Sequence, residues 1–77
     1  MDSEVIIYTS DHCKKCESLK RLFKQWGISF KEKNTTKNRS YLKELQQVGI
    51  YGTPTTVVDD KFIEGFQENR LFELLKK

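Results

Sequence analysis

The run Glu4-Val5-Ile6-Ile7-Tyr8-Thr9 carries the longest apolar stretch of the chain, and it is rich in β-branched and aromatic residues without polar alternation. A strand with one face in water alternates apolar and polar residues, so a continuous run of this kind is the pattern of a strand buried on both faces of a sheet. It is expected to be a central strand. After a turn at Ser10-Asp11-His12, Leu19, Leu22, Phe23 and Trp26 recur at i, i+3, i+4 and i+7, the apolar stripe of a helix that Gly27 can end in the left-handed conformation.

Ile28, Phe30 and the residues alternating with them read as a second strand. A strand, helix, strand order over so few residues implies a parallel pair joined by a right-handed crossover. Residues 34–38 are polar and read as a loop. Tyr41, Leu45 and Val48 repeat at helical spacing beside Leu42, with Gly49 as the stop, so a second helix is expected over about 39–48. Thr55-Thr56-Val57-Val58 and Lys61-Phe62-Ile63-Glu64 flank Asp59-Asp60 as a hairpin. A last amphipathic helix carries Leu71, Phe72, Leu74 and Leu75, with Lys76 and Lys77 at the end where the helix dipole favours cations. The resulting order is βαβαββα, an α/β domain with one mixed sheet covered by helices.

The 77 residues, 1–77, make a single domain near the lower size limit for folding without a staple. Hydrophobic residues at 36% against 32% charged ones are enough for a core, which excludes a disordered chain. The 14 basic and 11 acidic residues are interleaved rather than gathered on one stripe, so nucleic acid is not an expected partner. The apolar runs are too short to cross a membrane, and Met1-Asp2-Ser3-Glu4 lacks the basic and apolar regions of a signal peptide. The expected location is therefore the cytoplasm, and nothing requires more than a monomer. In that setting Asn34-Thr35-Thr36 and Asn38-Arg39-Ser40 read as loop chemistry rather than glycosylation sites.

Cys13 and Cys16 are the only cysteines, three positions apart across Lys14 and Lys15. In a reducing compartment such a pair is a transient, working disulfide more readily than a structural one. With the first strand ending near Thr9, Cys13 stands where the helix begins and Cys16 one turn inside it. Unpaired backbone N–H groups and the positive end of the dipole lower the pKa of a thiol placed there. A free thiol is about 3% ionised at neutral pH, whereas one with a pKa of about 6 is roughly 90% ionised. Cys13 is thus the expected nucleophile, and the deeper Cys16 the thiol that resolves its mixed disulfide. Zinc is the principal rival, yet two cysteines plus His12 fall short of four ligands, and a site or cluster would have to be shared between subunits. Two unrelated small core residues are the remaining reading. Asp11 can act as a helix N-cap or a proton acceptor, and His12 can tune Cys13 or face water.

Gly52-Thr53-Pro54-Thr55 places the only proline at the entrance to the predicted third strand. With the earlier "IYTSDHCKKC", and with "GTPTTVVDDKFIEGF" leading into a terminal helix, nearly the whole chain resembles the small glutaredoxins of the thioredoxin-like superfamily. That resemblance implies a four-stranded sheet in the order 2-1-3-4, with the fourth strand antiparallel to the third. It also implies a cis bond at Thr53-Pro54 that brings the Thr53 backbone beside Cys13, where a substrate segment pairs with it. Cys13 and Cys16 are implied to be catalytic, with Thr53, Pro54, Lys14, Lys15, Tyr8 and Gly65 around the substrate and no metal ligands. No bound cofactor is implied. The implied source of electrons is either glutathione or NADPH through thioredoxin reductase, and the implied substrates are protein or small-molecule disulfides, ribonucleotide reductase among them in some members. Lys-Lys stands where dithiol glutaredoxins commonly have Pro-Tyr, and Gly65-Phe66-Gln67-Glu68 replaces their usual Gly-Gly and acidic residue. The Gly-Phe form is closer to the glutaredoxin-like redoxins recharged by thioredoxin reductase.

Positive charge on Lys14 and Lys15 favours the thiolate of Cys13, and with it the reduced, more oxidising pair. Replacing both lysines with glutamine is expected to move the Cys13 titration, followed by thiolate absorbance, to higher pH. An unchanged curve removes the lysines from the mechanism.

Overall fold

The computed structural model describes residues 4–75, and Lys76 and Lys77 lie outside them. Seven elements follow in order: β1 (Val5–Thr9), α1 (Lys14–Gln25), β2 (Lys31–Asn34), α2 (Arg39–Gln47), β3 (Thr55–Val58), β4 (Lys61–Glu64) and α3 (Glu68–Leu75). They make one four-stranded sheet in the order β2-β1-β3-β4. β1 runs parallel to β2 and antiparallel to β3, and β3 and β4 form the hairpin. The βαβαββα order and the 2-1-3-4 arrangement are those expected from the sequence.

Alternate residues of β1 supply two separate cores. Val5 and Ile7 pack with Leu19 and Phe23 of α1, Ile63 of β4 and Leu71 of α3. Tyr8 packs on the other face with Leu45 of α2, Ile50 and Val57, and Ile6 lies against the same group. The unbroken run thus feeds both layers of helices, which is why it carries no polar alternation. Phe23 is the largest side chain of the first core, stacked on Trp26 at 5.9 Å and edge-on to Phe30 at 5.8 Å.

Both longer helices end in one device. At the end of α1 the Gly27 N–H donates to the Lys24 carbonyl and the Ile28 N–H to the Phe23 carbonyl, with Gly27 at φ +70°. At the end of α2 the Gly49 N–H donates to Gln46 and the Ile50 N–H to Leu45, with Gly49 at φ +80°. These are Schellman motifs, and each is accompanied by the apolar contact that typically seals one, Ile28 against Phe23's cluster and Ile50 against Leu45's.

The caps explain two corrections to the sequence reading. Ile28 and Phe30 were expected inside the second strand, but the Ile28 N–H is committed to the α1 cap, and ladder pairing starts only at Lys31 opposite Ile6. The strand itself, Lys-Glu-Lys-Asn, is a charged edge, a composition that discourages pairing with another chain. Val48 was expected on the apolar stripe of the second helix. It is instead the C-cap and half exposed, and Ile50, beyond the glycine, fills the buried position. The two Asn-x-Ser/Thr triplets also resolve into local chemistry. The Asn34 side chain accepts from the N–H groups of Thr36 and Lys37, and Asn38 caps α2 by accepting from Ser40.

Truncating Phe23 to alanine is expected to cost about 3–5 kcal/mol, most of the stability a domain of this size possesses. Phe72, half exposed with its ring edge-on to Trp26, is expected to cost only about 1 kcal/mol on the same truncation. Urea denaturation of the two variants tests the difference.

Candidate active site

β1 ends at Thr9, and Ser10, Asp11 and His12 carry the chain from the sheet into α1. The turn is sharp enough to put His12 at φ +58°, a left-handed conformation uncommon outside glycine. Cys13 follows as the N-cap of α1, with extended backbone and its Sγ accepting the Cys16 N–H at 3.1 Å. A sulfur thus takes the place usually held by the oxygen of Ser, Thr, Asp or Asn at a helix start. The same position aims the dipole and the first free amides of the helix at that sulfur.

Cys13 and Cys16 are joined as a disulfide, their Cα atoms 5.2 Å apart. Cys13 is partly exposed, whereas Cys16 is 1% exposed and shielded by its own helix. Lys14 and Lys15 are the first two residues of α1 and stand in solvent next to Cys13. Among the described residues no group of three His, Cys, Asp or Glu side chains is disposed to hold a metal ion.

The second half of the site is the loop before β3. The Thr53-Pro54 bond is cis, as the resemblance implied. The Pro54 carbonyl accepts the Gly65 N–H at 2.7 Å, and the Thr55 hydroxyl donates to the Gly52 carbonyl at 2.9 Å. Gly65, at φ +76°, is therefore held against the proline loop from the end of β4. A hydrogen bond of 2.7 Å between the hydroxyls of Ser10 and Thr53 ties this loop to the one that presents Cys13. Thr53, Pro54 and Gly65 are thus assembled with the cysteine loop.

Tyr8 is placed differently. Its ring belongs to the α2 face, and its hydroxyl donates to Glu44 Oε1 at 2.7 Å. Lys33 Nζ bonds the same oxygen at 3.1 Å and lies over the rings of Tyr8 and Tyr41, at 5.5 and 5.3 Å. Burial and the bond to Glu44 raise the Tyr8 pKa above its ordinary value. The Glu44 carboxyl is held down by the Tyr8 hydroxyl and by Lys33. On the opposite face, burial works against ionisation of Glu32, but the Thr9 hydroxyl and Lys20 outweigh it and lower its pKa.

Asp11 is not the helix cap. Its carboxylate accepts from the Asn34 side chain at 3.1 Å, and its N–H donates to the Thr36 hydroxyl at 3.0 Å. The Thr35 N–H and hydroxyl both donate to the Thr9 carbonyl. The turn after β2 thus braces the cysteine loop. Ser10 was read from the sequence only as part of a turn, and Asn34, Thr35 and Thr36 only as loop residues, because the partners that bring them to the site lie far along the chain.

A cysteine pair at a helix start, fastened to a cis-proline loop on a 2-1-3-4 sheet, defines a thiol-disulfide oxidoreductase of thioredoxin-like architecture. The glutaredoxin family profile matches residues 5–63, and the chain belongs to that family. It is similar to the glutaredoxin-like protein NrdH of Lactococcus lactis, 24% identical over 70 residues that cover 91% of this chain and 97% of the relative. Among solved structures it is similar to the thioredoxin-like protein BC3987, with a TM-score of 0.88 and 29% identity over 94% of this chain and 100% of that one. The fold also matches that of NrdH-redoxin from Escherichia coli, with a TM-score of 0.85 and 24% identity over 92% and 93% of the two chains.

Glu32 and Glu44 titrate below their ordinary value of 4.5 when folded, so the stability they contribute is complete above that value and is lost as pH falls through their folded values. Glu44→Gln keeps an acceptor for Tyr8 but cannot titrate. It is expected to narrow the gap between urea midpoints measured at about pH 7 and about pH 3.

Proposed function

We propose that this protein reduces protein disulfides by dithiol exchange, with Cys13 as nucleophile and Cys16 as resolving thiol. The observation that carries the reading is the unequal setting of the two sulfurs, one partly exposed at the helix cap and the other 1% exposed one turn inside. The Cys13 thiolate attacks one sulfur of the target disulfide, that bond breaks, and the departing thiolate takes a proton from water. Cys16 then gives up its proton and attacks the Cys13 sulfur, releasing the second target thiol. Two electrons have passed to the target, and the protein is left with the Cys13–Cys16 disulfide.

The target segment pairs with the backbone of Thr53 at the cis-Pro54 loop, while Lys14, Lys15 and Gly65 border it. No organic cofactor is held. Electrons return from NADPH through a thioredoxin reductase rather than from glutathione. Two features support that preference: Gly65-Phe66 stands where glutathione-dependent members carry Gly-Gly and an acidic residue, and the relatives include NrdH proteins, for one of which a thioredoxin-like activity profile is described. A ribonucleotide reductase disulfide fits this substrate class, and the cytoplasm fits the need for NADPH and the reductase.

Cys13→Ser is expected to abolish insulin reduction, and Cys16→Ser to accumulate a mixed disulfide visible by mass spectrometry. Offering the oxidised protein either glutathione or NADPH with thioredoxin reductase tests the electron source. Rapid reduction by glutathione alone would overturn the preference for the reductase.

A further inference from the structure

We infer that Ser10 is a positioning residue that couples the cysteine loop to the proline loop, and that its hydroxyl sets how well a polypeptide disulfide is delivered to Cys13. The inference rests on the proposed docking of the target backbone at Thr53. Each of the two loops is already secured on its own side. The proline loop is closed by Thr55 on Gly52 and by Gly65 on Pro54. The cysteine loop is braced by Asp11 on Thr36 and by Asn34 on Asp11. Neither set of bonds spans the gap between them.

The side-chain bond that does is Ser10 Oγ to Thr53 Oγ1, 2.7 Å long, partly buried, and 43 residues apart in the chain. Its two ends are chemically telling. Ser10 lies three residues before the reactive sulfur, and Thr53 is the residue whose backbone receives the target. A target strand laid on Thr53 presents its own sulfur at a place fixed by that strand, so attack in line with the S–S bond depends on the distance between the loops. Displacements of a fraction of an ångström at such a junction are costly to rate. A small disulfide with no backbone to dock does not use that registration.

Ser10→Ala is therefore expected to lower the rate constant for insulin reduction by about three- to tenfold relative to that for bis(2-hydroxyethyl) disulfide, the loss expected for one hydrogen bond. Ser10→Thr, which restores a hydroxyl, is expected to recover most of it. Thr53→Val is expected to reproduce the insulin defect, and the Ser10→Ala/Thr53→Val double variant to be no slower than either single one. A loss shared equally by both substrates, no loss with insulin, or additive losses in the double variant would each overturn the coupling. Cys13→Ser, measured alongside, reports on the exchange reaction itself, so failure of the coupling and failure of the enzymatic reading give different results.

Discussion

The requirement that β1 be covered on both sides organises this molecule. Ile7 reaches α1 and α3, Ile6 and Tyr8 reach α2, and one strand thus supplies both cores. Four of the strand's five residues are buried and Ile6 is partly so, and the chain comes out to solvent only beyond them. Its C-terminal end therefore becomes the place where the chain must turn out of the sheet, and the cysteine pair follows directly after that turn. The cysteines are where they are because a doubly covered strand followed at once by a helix leaves a helix start with open amides above the sheet.

Much of this was legible in local patterns. The i, i+3, i+4, i+7 stripe of α1, the glycine stops, and the Thr55–Val58 and Lys61–Glu64 hairpin around Asp59 each rest on neighbours in sequence, and the two hairpin strands emerge with the bounds expected. The start of β2 was not legible, because Ile28 has two possible uses, a ladder and a helix cap, and only the cap bond to Phe23 decides between them. Val48 misled for a related reason: the periodicity continues through Gly49, while the backbone does not.

The site divides in the same way. Cys13 and Cys16 announce themselves by type and spacing, and Pro54 by its position before a strand. Tyr8 was carried into the site by resemblance, yet strand parity turns it toward α2, where Glu44 and Lys33 engage its hydroxyl and ring. Ser10, Asn34 and Thr36 are ordinary loop residues until the fold brings their partners to them. Asp11 did show itself as a polar residue before a helix, but the capping role went to the sulfur two residues later.

That choice of cap has a thermodynamic meaning. The atom that fastens the first turn of α1 is also, in the proposed exchange, the atom that attacks the target, so conformational stability and oxidation state share one term. Whatever the folded helix does to favour an anionic sulfur, the anionic sulfur returns by favouring the folded helix. In the disulfide form that start is held twice, by the Cys16 N–H on the Cys13 sulfur and by the bond between the two sulfurs, and under the proposed exchange each reduction gives up the second fastening.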